Sequence, residues 1–551
     1  MSLQPQVSYM VPEETARVAR AIFPTGNIYM RLYDTFGPLF QDRAFAALFP
    51  RDGQPAEAPG RVVLVLVLQF AEDLTDRQAA DAVRTRIDWK YLLGLELTDP
   101  GFDHTVLSEF RTRLVAGAAE QIVLDTLLTH FRDHGLITPH GQQRTDSRHV
   151  LAAIRAMTRL ECVGETMRHA LNLLAVADPA WMRTHSQPDW VDRYGSRVED
   201  YHLPTSKAER AAYADIIGAD GLALLNALDA PTTPAWMREL PAVETLRLAW
   251  VQNYTWTTDG CLRWRASDDI PPTALFISSP YDRDAHYSKK RSTSWVGYKV
   301  HLTETCDDEL PRLITHVETT AAPVDDGAMT TPIHAALKAK DLLPTTHSVD
   351  TGYIDAELLV TSTQKYGVDL VGPTRDDCHW QARAAEGFAA ADFAIDWERQ
   401  QAICPAGHTS VSWTPAIDQR TNDVIKIKFA TTECGTCSLQ PQCTHSTPPR
   451  RTLTIRPEEQ YKALQAARAR EKTDAFTEQY ARRAGVEGTL SQGIRAFGLR
   501  RARYIGQAKV HLQHILTAAA MDMVRVIRWL DGEPLAQTRQ SAFVRLHKAA
   551  A

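Results

Sequence analysis

The chain has 551 residues, 44% hydrophobic and 23% charged, with a formal net charge of -6. Those are ordinary globular values, and the length leads us to expect two to four domains around a sizeable core. The acidic total excludes a protein coated with positive charge but leaves nucleic-acid binding open, because affinity depends on local patches. Residues 1–20 show no uninterrupted apolar stretch behind a basic start. The longest apolar run, Val62 to Leu68, is far shorter than the about 20 residues that span a bilayer. A soluble, cytoplasmic protein without a membrane partner is expected. Of the eight cysteines, Cys162, Cys261, Cys306 and Cys378 are scattered, whereas Cys404, Cys434, Cys437 and Cys443 are bunched. In a reducing compartment the bunch is a metal-site candidate before it is a disulfide framework.

Residues 1–50 carry Pro5, Pro12, Pro24, Pro38 and Pro50, so helices there should be short. The stretch 60–132 reads as helical. Thr75 or Asp76 can cap a helix from Arg77 to Leu93, and Asp103 or Thr105 a later one with Val106, Leu107, Phe110 and Leu114 on one stripe. Arg111 and Arg113 lie beside that stripe, as in the reading helix of a helix-turn-helix unit, although any small helical bundle has the same pattern. Residues 150–275 are again mostly helical. The texture then changes. Trp295 to Leu302 alternates as a strand, Leu313 to Thr320 reads as its antiparallel partner, Asp325 to Lys340 as a helix, and Thr346 to Asp350 and Val368 to Gly372 as two short strands. This order predicts an α/β fold, a mixed sheet with helices packed on it. Residues 375–455 are polar and hold the cysteine bunch, and from Pro457 to about Leu530 the chain reads as helical.

Three polar segments stand out against this background. They are Thr145 to Val150 with Asp146, Ser348 to Asp355 with Asp350, and Tyr480 to Thr489 with Arg483 and Glu487. Asp350 follows an apolar strand and precedes Gly352, at the sheet edge where ligands bind in open α/β folds. Tyr480, Arg483 and Glu487 fall at i, i+3 and i+7, one face of a continuous helix. An Arg one turn before a Glu is also an ordinary surface ion pair, worth about 0–1 kcal/mol.

The Tyr-x2-Arg-x3-Glu spacing resembles the signature around the last acidic residue of many DDE insertion-sequence transposases. There a Lys follows the Glu after six further residues; here Ile494 holds that place and Arg495 comes one later. The likeness extends to Gly485 to Gln492, Gly498 to Tyr504 and Lys509 to Gln513. It also takes in Asp103 to Arg113, Thr145 to Val150, Ser279 to Asp284, Gly297 to His301, Val349 to Tyr353 and Cys404 to His408. Over roughly residues 20 to 530, in order, these blocks resemble the eleven-eighty-two group of insertion-sequence transposases, related to the IS four and IS five transposases. The resemblance implies an RNase H-like core, with Asp146 on or just after its first strand, Asp350 after its fourth and Glu487 on a later helix. From the residues alone no strand is expected at Gly141 to Asp146, which is almost devoid of apolar side chains. The implied organisation is an N-terminal helical, DNA-binding domain (1–135), a catalytic core (136–150 and 276–375), a helical insertion (151–275), a small β-rich cysteine insertion (376–455), a C-terminal helical part of the core (456–535) and a tail (536–551). Ala520-Met-Asp522-Met523 departs from the family in having Asp where Asn is expected.

The chemistry such a site would perform is strand cutting and joining, at the ends of the element that encodes the chain. Two divalent ions about 3.5–4 Å apart can activate a nucleophile and stabilise the leaving oxygen. Mg²⁺ or Mn²⁺ would be held by the hard oxygens of Asp146, Asp350 and Glu487. Double-stranded DNA is the expected partner and a homodimer the expected state on it. Tyr480, Arg483, Arg495, Arg500, Arg501, Arg503 and Lys509 face it in this reading, together with Arg111 and Arg113. Glu487 is the single acid between residues 482 and 511, and Lys289, Lys290 and Arg291 form a second basic cluster. Cys434-x2-Cys437-x5-Cys443 with Cys404 upstream fits a structural Zn²⁺ site, with His408 and His445 as substitute ligands; four reduced thiols fit as well. A nuclease that no longer joins strands, or a DNA-binding descendant, are the rival readings, and the intact Asp, Asp, Glu set speaks against the second.

Overall fold

A computed structural model describes residues 2–6, 9–383, 387–534, 542–543 and 546, so the expected tail falls almost entirely outside the described residues. The N-terminal quarter is helical: α1 (Glu13–Ile22), α2 (Ile28–Phe36), α3 (Pro59–Ala71), α4 (Asp76–Thr85), α5 (Ile87–Leu93), α6 (Thr105–Ala116) and α7 (Gln121–Asp133). Thr75 closes a capping box with Gln78 at the start of α4, as its hydroxyl and the Gln side chain allow. Helix α3 is apolar all round and therefore buried all round, from Val62 to Phe70.

Strand β1 (Gln142–Leu151) follows, where no strand is expected from the residues alone. Its inward polar side chains are paired across the sheet, which replaces the missing apolar pattern. A helical region comes next: α8 (Arg159–Ala177), α9 (Pro179–His185), α10 (Asp189–Tyr194), α11 (Lys207–Asp229) and α12 (Pro241–Asn253), with a small hairpin of β2 (Tyr254–Trp256) and β3 (Leu262–Trp264). It has its own apolar core, centred on Leu160, Met167, Leu224, Leu246 and Trp250. Helix α11 is long and apolar enough to cross a membrane by length and composition, but its Ile217, Leu224 and Leu228 are fully buried in that core.

The sheet is completed by β4 (His286–Lys290), β5 (Thr293–Thr305), β6 (Ile314–Ala321), β7 (Thr346–Ser348) and β8 (Asp369–Val371). Helices α13 (Thr330–Ala339) and α14 (Ala356–Tyr366) connect the last three. Across the sheet the order is β6, β5, β1, β7, β8, with β4 on the same edge of β5 as β6. β1, β5 and β6 are antiparallel; β7 and β8 run parallel to β1. The expected mixed α/β sheet is present.

The cysteine segment is built from α15 (Trp380–Arg383), β9 (Ala394–Asp396), β10 (Gln401–Ile403), β11 (Ser412–Ile417), β12 (Asp423–Lys428), α16 (Thr431–Thr436), α17 (Gln440–Cys443) and β13 (Thr452–Ile455). The C-terminal region, expected as one helical stretch, is four helices: α18 (Glu458–Arg470), α19 (Asp474–Ala481), α20 (Gly485–Ala496) and α21 (Gln507–Leu530). Helix α21 packs between β6 on one side and α3 and α7 on the other, so the N-terminal helices and the sheet share one apolar core.

Candidate active site

Strand register brings two of the three carboxylates together. Arg144 on β1 pairs with Ser348 on parallel β7. Two residues further along each chain, on the same face by the alternation of strands, stand Asp146 and Asp350. β7 ends at Ser348. Beyond it the flank of β1 opens, until the loop before α21 bridges Leu151 to Arg501. Asp146 is largely buried, and the Ser147 amide donates to its Oδ1 at 2.7 Å. Its carboxyl is pushed up to about 6, by burial first; Asp350 adds to that rise and Arg483 opposes it. Asp350 begins a short turn and its Oδ1 accepts from the Gly352 amide at 2.8 Å.

The third carboxylate arrives on α20. A turn of 3-10 helix, Arg482–Ala484, separates α19 from α20, so Tyr480, Arg483 and Glu487 are not on one continuous α-helix as expected. They still converge. Arg483 donates through Nη2 to Asp146 at 2.5 Å and through Nη1 to Glu487 at 3.2 Å. Its charge stands between carboxylates that are remote in sequence, while Glu487 remains two-thirds exposed. Tyr480 stacks on Phe476 at 5.5 Å. Burial raises the Tyr480 hydroxyl's pKa and keeps it protonated.

Behind this face lies a buried ionic network absent from the sequence reading. The Arg144 guanidinium donates to Glu304 at 2.7 Å, from the cross-strand position on β5. Glu304 also accepts from Thr489 on α20 and from Arg525 on α21. Gly485 is required here, since a Cβ would fall 2.2 Å from the Arg144 guanidinium. Asp326 was missed too. It accepts from Lys299 at 2.9 Å and lies beside Gly352. The signal available in sequence was only the Asp325-Asp326 pair, which reads as a helix start.

The expected DNA-facing cations divide into two sets. Arg111 is buried and makes a two-pronged ion pair with Asp76, which holds α6 against α4. Arg113 lies over the Phe49 ring, and Arg503 pairs with Asp73 and donates to the Leu74 carbonyl. Arg500 donates to His149 at 2.6 Å; burial pushes that imidazole down to about 4, so it is a neutral acceptor. These four are committed to internal contacts, because each has a complementary group that folding brings to it. Arg495, Arg501 and Lys509 are exposed.

Cys404, Cys434, Cys437 and Cys443 line one cavity with His408, in the small core around Phe429. The His408 amide donates to Cys404 Sγ at 3.3 Å and the Gly407 amide to the Cys404 carbonyl at 2.8 Å, a tight turn around the thiol. His445 stacks on Trp380 at 4.1 Å instead. Among the described residues no three His, Cys, Asp or Glu side chains stand close enough, as placed, to grip one metal ion.

Two family models match the chain. The Transposase DDE domain covers residues 403–527, and the Transposase domain (DUF772) covers residues 17–113. The two matches support an insertion-sequence DDE transposase. No curated protein and no solved structure matches the chain. The first match contains Glu487, while Asp146 and Asp350 lie outside both. The DDE family is as a rule dependent on divalent metal and implies DNA as partner. The hard oxygens of Asp146, Asp350 and Glu487 suit such an ion. A cationic group, Arg483, already lies against two of them.

Proposed function

We propose that this transposase cuts and joins DNA strands at the ends of an insertion sequence of the eleven-eighty-two group, with Asp146, Asp350 and Glu487 as its catalytic carboxylates on an RNase H-like core. The observation that carries the reading is the register of β1 on β7, Arg144 opposite Ser348, which carries Asp146 and Asp350 toward the same end of paired strands, with Arg483 linking Asp146 to Glu487. The sheet order supports the core assignment: three antiparallel strands, then two parallel ones added at the edge of the first. Asp146 and Asp350 would hold Mg²⁺ or Mn²⁺ from the sheet and Glu487 from α20. Bound there, the metal would activate water or a 3′-hydroxyl and stabilise the leaving oxygen.

The chain's own residues set the stage for this. Burial makes the Asp146 charge costly and gives it reason to accept a cation. Arg483 supplies that cation and, displaced from Asp146, can turn its planar fork to a phosphate. Joining two element ends calls for a dimer on double-stranded DNA. The test is metal-dependent nicking and strand joining on a duplex carrying the element's ends. D146N, D350N and E487Q should each lose more than the roughly 10–100-fold that loss of an outer-shell group costs, with folding intact by circular dichroism. Cleavage without joined product would identify a nuclease; near-native activity in any variant would remove that residue from the site.

Cys404, Cys434, Cys437 and Cys443 are proposed to bind structural Zn²⁺. Their shared cavity and the turn at Cys404 to His408 support this. Elemental analysis of purified protein should give one zinc per chain, and none in C437S.

A further inference from the structure

The catalytic face needs cations to hold a DNA backbone, and the four internal pairs at Arg111, Arg113, Arg500 and Arg503 remove much of the supply expected from sequence. The hairpin of β4 and β5 has exposed cations in reserve. Its two strands pair from His286↔Gly297 to Lys290↔Thr293, which leaves Arg291 and Ser292 as the turn. Lys289, Lys290 and Arg291 at this tip are all exposed. The side chains of Lys289 and Arg291 make no hydrogen bond or ion pair among the described residues, and that of Lys290 has only a long contact to Asp326, at 3.9 Å.

That contact fixes where the tip lies. The open side of the Gly352 α-carbon, where a Cβ would sit, is 2.9 Å from Asp350 Oδ1 and 3.3 Å from Asp326 Oδ2. Lys290 Nζ is 3.9 Å from that same Asp326 oxygen. Short steps therefore connect the tip to Asp350. The hairpin's base is equally anchored: Gly297 pairs with both His286 and Leu151, at the end of the strand that carries Asp146. Arg291 holds φ at 56°, a left-handed turn position where glycine or asparagine is the ordinary residue. A strained cation at an exposed tip beside a reaction centre is the kind of outlier that marks a binding element.

We infer that the β4–β5 hairpin tip, Lys289, Lys290 and Arg291, is a phosphate clamp that grips the DNA backbone next to the scissile bond. The inference rests on the proposed transposase reading of Asp146, Asp350 and Glu487. The clamp reads no bases; it fixes the strand's position over the carboxylates and contributes a salt-dependent share of affinity.

The test uses the full chain and a blunt DNA duplex of arbitrary sequence, titrated without divalent metal over a range of salt. The variant is K289Q/K290Q/R291N, in which Asn keeps the left-handed turn. Its log K against log salt should be shallower than the native slope by about 0.9 for each phosphate that is no longer neutralised, up to ~3 in all. With end-bearing DNA and Mg²⁺, KM should rise more than kcat falls. A native slope in the triple variant, with the native chain binding normally, overturns the clamp alone. Absence of DNA binding by the native chain would instead overturn the transposase reading.

Discussion

Around β1, side chains from four distant segments meet in a dry ionic network: Arg144, Glu304, Thr489 and Arg525. The cysteine segment, in contrast, is closed over a few apolar side chains, Phe393, Ile427, Phe429 and Leu453 among them, with Arg451 lying over the Phe393 ring. The first region is held by interactions that specify one arrangement; the second rests on a small apolar core that the proposed zinc would staple. The difference teaches where rigidity is needed. The network fixes α20, and therefore Glu487, against the strand that carries Asp146, whereas the cysteine segment need only persist.

The sharpest way to test this contrast is chelation. Chelating the zinc proposed for the cysteine segment should withdraw a stabilisation on the order of 10 kcal/mol. Trypsin should then cut within residues 387–455 while the β1–β5 fragment resists, and equal resistance with and without chelator would erase the contrast. Glu304→Ala comes next. It leaves Arg144 buried without its partner and should cost about 3–5 kcal/mol in urea unfolding; a cost near zero would show that the network specifies nothing. Ile427→Ala should cost ~2–5 kcal/mol, read by hydrogen exchange as loosening confined to the cysteine segment. The smallest effect is expected at Asp522→Asn. Asp522 is fully buried, and its Oδ1 accepts from the Ile314 amide at 3.0 Å while Oδ2 has no partner among the described residues. Burial holds its carboxyl well above the usual range. A raised folded value means that the contribution is complete below the unfolded value and is lost as pH rises toward the folded one. The Asn variant should thus match the native protein near pH 3 and exceed it by about 1–3 kcal/mol at pH 7. Parallel melting curves at the two pH values would refute this.

Much of the sheet was legible because β5, β6 and β8 carry their apolar residues in the local pattern. The stripe of α21, from Leu512 to Ile527, was legible for the same reason. β1 was not, because its inward residues are polar and their partners come from elsewhere. Thr145 meets Thr303 and His347, and Arg144 meets Glu304. No local window contains those pairs. The candidate carboxylates were reached through family likeness rather than through periodicity. The i, i+3, i+7 argument placed Tyr480, Arg483 and Glu487 near one another but assumed a helix that breaks at Arg482. The fate of Arg111 was likewise invisible, since spacing does not reveal that Asp76 will be waiting for it.

The position of α21 bears on how a new copy of the protein comes into being. Residues from Tyr29 to Ile527 contribute to a single core, and α21 fills its middle. A ribosome making this chain must release it through α21 before the apolar faces of α3 and β6 can be covered together. Until α21 emerges, the nascent chain can finish the separate core of α8–α12 but not the shared one, so chains terminated before α21 would leave the sheet and the N-terminal helices uncovered.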